Sequence, residues 1–131
     1  MAKVIIRGRI ASGLGEGKYF MSIPEYKKQF AELIGIAPFH GTLNVKVDPE
    51  SIEKFNSLKS KKSIWINGFE SRGRSFGGVA VFHANISGKK CAVVFPEKGR
   101  YKDILEIIDN EDLRKKLGLK DGDEIKVEIE L

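Results

Sequence analysis

The strictest alternation of apolar and polar residues lies in two stretches. Leu43, Val45 and Val47 face one way while Thr42, Asn44 and Lys46 face the other, which predicts a strand with one buried face. Ile125, Val127 and Ile129 alternate in the same way with Lys126, Glu128 and Glu130, and the turn Asp121-Gly122-Asp123 leads into them. A looser alternation from Val4 to Ile10 predicts a first strand. Ile64 to Phe69, Val79 to Ala84 and Cys91 to Phe95 also read as strands; Ser87-Gly88-Lys89-Lys90 is a hairpin turn, and Pro96 ends the last strand. Helical spacing appears after Pro24, where Tyr26, Phe30, Leu33 and Ile34 share a face and Gly35 marks the end. A short helical turn is expected near Ile52 to Leu58. Beyond Pro96 the pattern reads as helix, with Ile104, Leu105, Ile107 and Ile108 on an apolar face and Glu106 pointing away from most of it. Asn110 is the expected N-cap of a second helix, with Leu113 and Leu117 buried and Gly118 as its stop. About six strands with inserted helices, and no regular β-α-β rhythm, favour a mainly β fold: a small closed six-stranded β-barrel in a single domain spanning residues 1–131.

Composition narrows the classes. Hydrophobic residues make up 41% and charged residues 31%, ordinary for a soluble globular domain, and no apolar run approaches a membrane span. The amino terminus carries no secretory pattern, so a cytoplasmic location without membrane partners is expected. Cys91 is the only cysteine, and its apolar neighbours mark it as a small buried hydrophobe. A net charge of +5 favours an anionic partner such as a nucleotide, but the basic residues are spread, with Lys59, Lys61 and Lys62 the densest cluster. Arg72 and Arg74 lie in a glycine-rich connection over residues 70–78 and could touch an anion or simply face solvent.

The candidate chemistry starts at Ser12-Gly13-Leu14-Gly15-Glu16-Gly17-Lys18-Tyr19-Phe20, where three alternating glycines free the backbone N–H groups to wrap phosphate oxygens and Lys18 adds a positive charge. The spacing is neither that of a P-loop nor that of the dinucleotide fingerprint. Thr42 and Asn44 put two neutral oxygens about 7 Å apart along one strand face, where they can point at one ion or one phosphate. Taken singly, each reads first as a solvent-facing strand position. His40 has no neighbour in sequence with which to form a metal or acid-base site.

The glycine segment through Phe20, then Gly41-Thr42-Leu43-Asn44-Val45, then Leu105-Glu106-Ile107-Ile108 with Leu113-Arg114, then Leu119-Lys120-Asp121-Gly122-Asp123, resemble in order and spacing the archaeal CTP-dependent riboflavin kinases. The resemblance covers essentially the whole chain. It implies a cradle-loop β-barrel that moves the terminal phosphoryl group of CTP to the ribityl hydroxyl of riboflavin, giving FMN and CDP. Carried over by residue, it implies a nucleotide-binding segment at Gly13, Leu14, Gly15, Glu16, Gly17 and Lys18, with a second piece at Glu111, Asp112, Leu113 and Arg114. It implies Thr42 and Asn44 as protein ligands of Mg²⁺ and Glu106 as a flavin contact; Glu106 is a candidate general base only if the ribityl hydroxyl comes within hydrogen-bond reach. Family members often carry a threonine shortly after the proline that ends the fifth strand. Here that segment reads Pro96-Glu97-Lys98-Gly99-Arg100-Tyr101 and is one residue shorter, so Gly99 or Arg100 is the expected flavin-side replacement.

Phosphoryl transfer asks for positioning and charge neutralisation more than for covalent groups, which such a set can supply. The implied partners are CTP/CDP and riboflavin/FMN, with no nucleic acid, in a monomer. Two other readings compete: a basic nucleic-acid-binding barrel, and a flavin or nucleotide binder without turnover. Against the first, the basic residues are not interleaved with exposed aromatics.

Overall fold

Nine strands, three α-helices and a 3₁₀ turn (Pro49–Ser51) form among residues 2–12, 22–38, 42–97 and 103–131, which are those the computed structural model describes. The strands are β1 (Lys3–Ala11), β2 (Leu43–Val47), β3 (Ile64–Ile66), β4 (Phe69–Ser71), β5 (Arg74–Phe76), β6 (Val79–Ile86), β7 (Lys89–Pro96), β8 (Ile104–Ile108) and β9 (Glu124–Glu130). The helices are α1 (Pro24–Ile34), α2 (Ile52–Leu58) and α3 (Leu113–Leu117). Strand order β6-β7-β8-β2-β1-β9 returns to β6 through Ala84–Ile129 and Asn85–Glu128, so six antiparallel strands close the expected barrel. Closure removes the exposed edges that an open sheet of this size would present.

Alternate residues of all six strands fill the interior. Ile6, Ile10, Val45, Phe82, Val93, Leu105, Ile107, Val127 and Ile129 meet there, with Phe55 and Leu58 of α2 and Leu113 of α3 packed against them. A second apolar cluster lies on the outside, where Tyr26 and Phe30 of α1 cover Val79, Val81, Ala92, Val94 and Ile108. Tyr26 also donates its hydroxyl proton to Gly77 O at 2.6 Å and meets Phe69 edge-on at 4.8 Å. The two clusters explain the chain's one misleading period. Residues 104–108 form a strand, not the expected helix, because Leu105 and Ile107 point inward while Ile108 joins the outer cluster, so both faces are apolar and the alternation disappears.

Three smaller expectations are corrected. Leu33 is half exposed, leaving Tyr26 and Phe30 as the buried stripe of α1, with Ile34 partly covered. The connection over residues 70–78 contains the β4–β5 hairpin, whose turn holds Arg72 and Gly73 at φ 52° and 72°. The cap of α3 is Asp112, which accepts from the backbone N–H groups of Arg114 and Lys115; Asn110 instead accepts from Ala37 N at 2.7 Å. Cys91 is buried as expected, and loss of solvation pushes its thiol up to about 12.

Barrel curvature leaves no room at Gly8. A Cβ there would sit 2.3 Å from Lys46 O and 2.6 Å from a Val45 methyl, and the first of these is backbone held in the sheet. Replacing Gly8 by Ala is expected to cost about 3 kcal/mol. Urea unfolding checks this, and an unchanged midpoint would contradict the close approach.

Candidate functional site

β1 ends at Ala11, just before the glycine segment in sequence, and strand register decides what lies beside that strand end. Ala11 opposes Asn44, Asn44 opposes Glu106, and Glu106 opposes Val94. Directly opposed residues of antiparallel strands share a face, with Cβ atoms about 5 Å apart, so Asn44 and Glu106 stand side by side on the outer wall. Val94 continues that row into the apolar cluster beneath α1. Thr42, just before β2, turns to the same side and donates its hydroxyl proton to Asn44 Oδ1 at 2.9 Å. Asn110, just past the end of β8, accepts from Ala37 N at 2.7 Å.

The oxygens of Thr42 and Asn44 suit a hard cation. Adjacent corners of an octahedron with metal–oxygen bonds of 2.0–2.1 Å are about 2.9 Å apart, the separation these two atoms already have. Among the described residues no group of three or more His, Cys, Asp or Glu side chains could hold a metal, so a protein-only cage of the zinc type has no candidate there.

A second set of contacts ties α3 to the root of the glycine segment. Arg114 Nη2 donates to Asp121 Oδ1 at 2.6 Å and to the Ala11 carbonyl at 3.1 Å, while Ser12 Oγ donates to Asp121 Oδ2 at 2.5 Å. These bonds favour the ionised carboxylate: the Ser12 hydroxyl first, then the Arg114 guanidinium, hold Asp121 below its ordinary value of 3.8. Glu111 faces Lys89 and Lys116 at 3.5 and 3.9 Å, and Lys89 also pairs at 2.8 Å with the buried Asp109.

Thr42, Asn44 and Glu106 therefore come together, and Arg114 reaches the point where the glycine segment departs. Leu113 is a core residue, and the Asp112 carboxylate caps α3. Gly13, Leu14, Gly15, Glu16, Gly17, Lys18, Gly99 and Arg100 lie outside the described residues. Sequence reasoning missed the bonds from Ser12 and Arg114 to Asp121, since Asp-Gly-Asp reads as a turn and nothing in its pattern points to Ser12.

Residues 10–129 match the family model CTP-dep_RFKase, described as "Domain of unknown function DUF120". The chain is 41% identical to a riboflavin kinase of Thermoplasma volcanium over 98% of its own length and 58% of the relative's. It is 43% identical to one of Ignicoccus hospitalis, over 95% of this chain and 70% of that one. A riboflavin kinase of Methanoculleus marisnigri is 45% identical over 95% of this chain and 56% of its own. The chain belongs to the CTP-dependent riboflavin kinase family, and it spans between half and three-quarters of the length of these three relatives.

Because the folded-state value of Asp121 is depressed, its contribution to stability is complete well above 3.8 and is lost as pH falls through the lowered value. Carboxyl NMR is expected to give Asp121 a midpoint below 3.8, moved upward by Ser12→Ala. A midpoint at or above 3.8 in the unsubstituted protein would contradict the two contacts.

Proposed function

We propose that this chain is a riboflavin kinase that uses CTP and Mg²⁺, transferring the terminal phosphoryl group of CTP to the ribityl hydroxyl of riboflavin and releasing FMN and CDP. The observation that carries the reading is the Thr42–Asn44 oxygen pair beside Glu106, opposite Ala11 at the end of β1, in a chain of this family. Its names support the acceptor most directly, since the similar proteins are riboflavin kinases. The donor rests on the family's name, and the metal on the chemistry of the oxygen pair.

In this reading Thr42 and Asn44 hold Mg²⁺, which when bound neutralises charge on the transferring phosphates. Two neutral ligands are enough, because Mg²⁺ takes most of its remaining coordination from substrate oxygens and water. The backbone N–H groups of Gly13 to Lys18, with the Lys18 ammonium, cradle the phosphates, and the segment Glu111 to Arg114 borders the same nucleotide. The hydroxyl oxygen of the ribityl chain forms the new bond to phosphorus as the bond to the CDP oxygen breaks. Glu106, next to Asn44 in the row, is placed to orient that hydroxyl and is the candidate acceptor of its proton. Gly99 and Arg100 supply the flavin-side contacts.

The test is incubation of the purified chain with riboflavin, Mg²⁺ and either CTP or ATP, with FMN and nucleoside diphosphate separated by chromatography. FMN is expected with CTP and little with ATP. Asn44→Leu is expected to lower turnover by roughly 100-fold or more, since it removes a metal ligand without touching the barrel core. No FMN from the folded protein with either donor would overturn the proposal, and binding of riboflavin or CDP in that sample would identify a binder without turnover.

A further inference from the structure

We propose that Asp121 is a positioning residue of the nucleotide site, fixing the root of the glycine segment by holding Ser12 and Arg114 with its two carboxylate oxygens. The proposal rests on the reading that residues Gly13 to Lys18 bind the nucleotide. Asp121 is itself held where it must be. Gly122, in the left-handed conformation at φ 87°, lets the turn close, and Asp123 Oδ2 accepts from Lys120 N at 2.8 Å. The same turn is bonded to the end of β1: Gly122 N donates to Ile10 O at 2.8 Å, and Ile10 N donates to Asp123 O at 2.9 Å. A rigid turn thus presents the carboxylate beside Ser12, the last described residue before the glycines.

The arrangement reads as a local anchor more than a stabiliser of the barrel. Asp121 and Ser12 are exposed, and surface pairs add little to global stability. Their leverage is on the loop. Fixing Ser12, the residue that precedes the glycines, removes part of the ordering cost of binding before a ligand arrives. Arg114 adds to the same point, since one guanidinium nitrogen bridges Asp121 and the Ala11 carbonyl. The substrate that should feel a change is therefore the nucleotide, not riboflavin.

Steady-state kinetics with CTP and riboflavin, together with CDP titration by calorimetry and thermal melts, test this on the full chain. Asp121→Ala is expected to raise the KM for CTP and the Kd for CDP by roughly tenfold, with kcat and the KM for riboflavin within about twofold. Ser12→Ala, a milder change that keeps the Arg114 pair, is expected to move the same constants by about threefold, and Ser12→Thr to restore them. Unchanged CTP and CDP constants in both variants, or equal losses for both substrates accompanied by a lowered Tm, would overturn the proposal. If the unsubstituted chain makes no FMN yet binds CDP, the kinase reading fails while the CDP arm still decides the role of Asp121. If it binds no CDP, both fall.

Discussion

Register between β1, β2 and β8 is the constraint on which the site depends. Side chains alternate strictly along a strand, so a slip of one residue in β2 would turn Asn44 into the barrel interior and bring Leu43 and Val45 out to the wall. The buried contacts of Val45, Ile10 and Leu105 forbid that slip, because each would exchange a packed apolar side chain for a polar one. Core packing and placement of the oxygen pair are thus one specification. Gly8 takes part in it, since the close passage of the β2 backbone at that point depends on the missing side chain.

Burial on the outside of the barrel is the second organising feature. A barrel whose outer wall met only water would carry polar residues at every second position, yet Val79, Val81, Ala92, Val94 and Ile108 are apolar and sit beneath α1. The helix follows the glycine segment in sequence and is seated by the cluster beneath Tyr26 and Phe30, while Asp121 and Arg114 hold Ser12 and Ala11 ahead of that segment. The glutamine side chain at Gln29 strengthens the seat by exchanging two hydrogen bonds with the Asn67 backbone, at 2.8 and 2.9 Å. Beside this apolar patch, Asn44 and Glu106 begin the polar part of the wall.

Much of this was legible in the sequence wherever one face of an element meets water. β2 and β9 show it best, and α1 is legible through Pro24 and Gly35 at its ends. β8 was hidden because apolar neighbours cover both of its faces. The cap of α3 was misassigned because Asn110 and Asp112 are both good capping residues, and only the fold reveals that Ala37 takes Asn110. The β4–β5 turn gave little warning, since arginine at its first left-handed position departs from the Asn-Gly or Gly-Gly pairs that announce such hairpins. At the site, the shared face of Thr42 and Asn44 follows from alternation alone. That Glu106 stands beside Asn44 depends on the pairing of distant strands, which no local pattern encodes.

Mn²⁺ can replace Mg²⁺ at oxygen sites and broadens nearby resonances, so it reports where a metal–nucleotide complex sits. The most direct measurement is the ¹⁵N NMR spectrum of the chain titrated with Mn²⁺ in the presence of CDP. The account predicts that Thr42, Asn44 and Glu106 broaden first, followed by Ser12 at the root of the glycine segment, while Lys126 and Glu128 on the opposite seam stay sharp. Broadening centred on that seam, with Thr42 and Asn44 unaffected, would contradict the placement of the site on the outer wall.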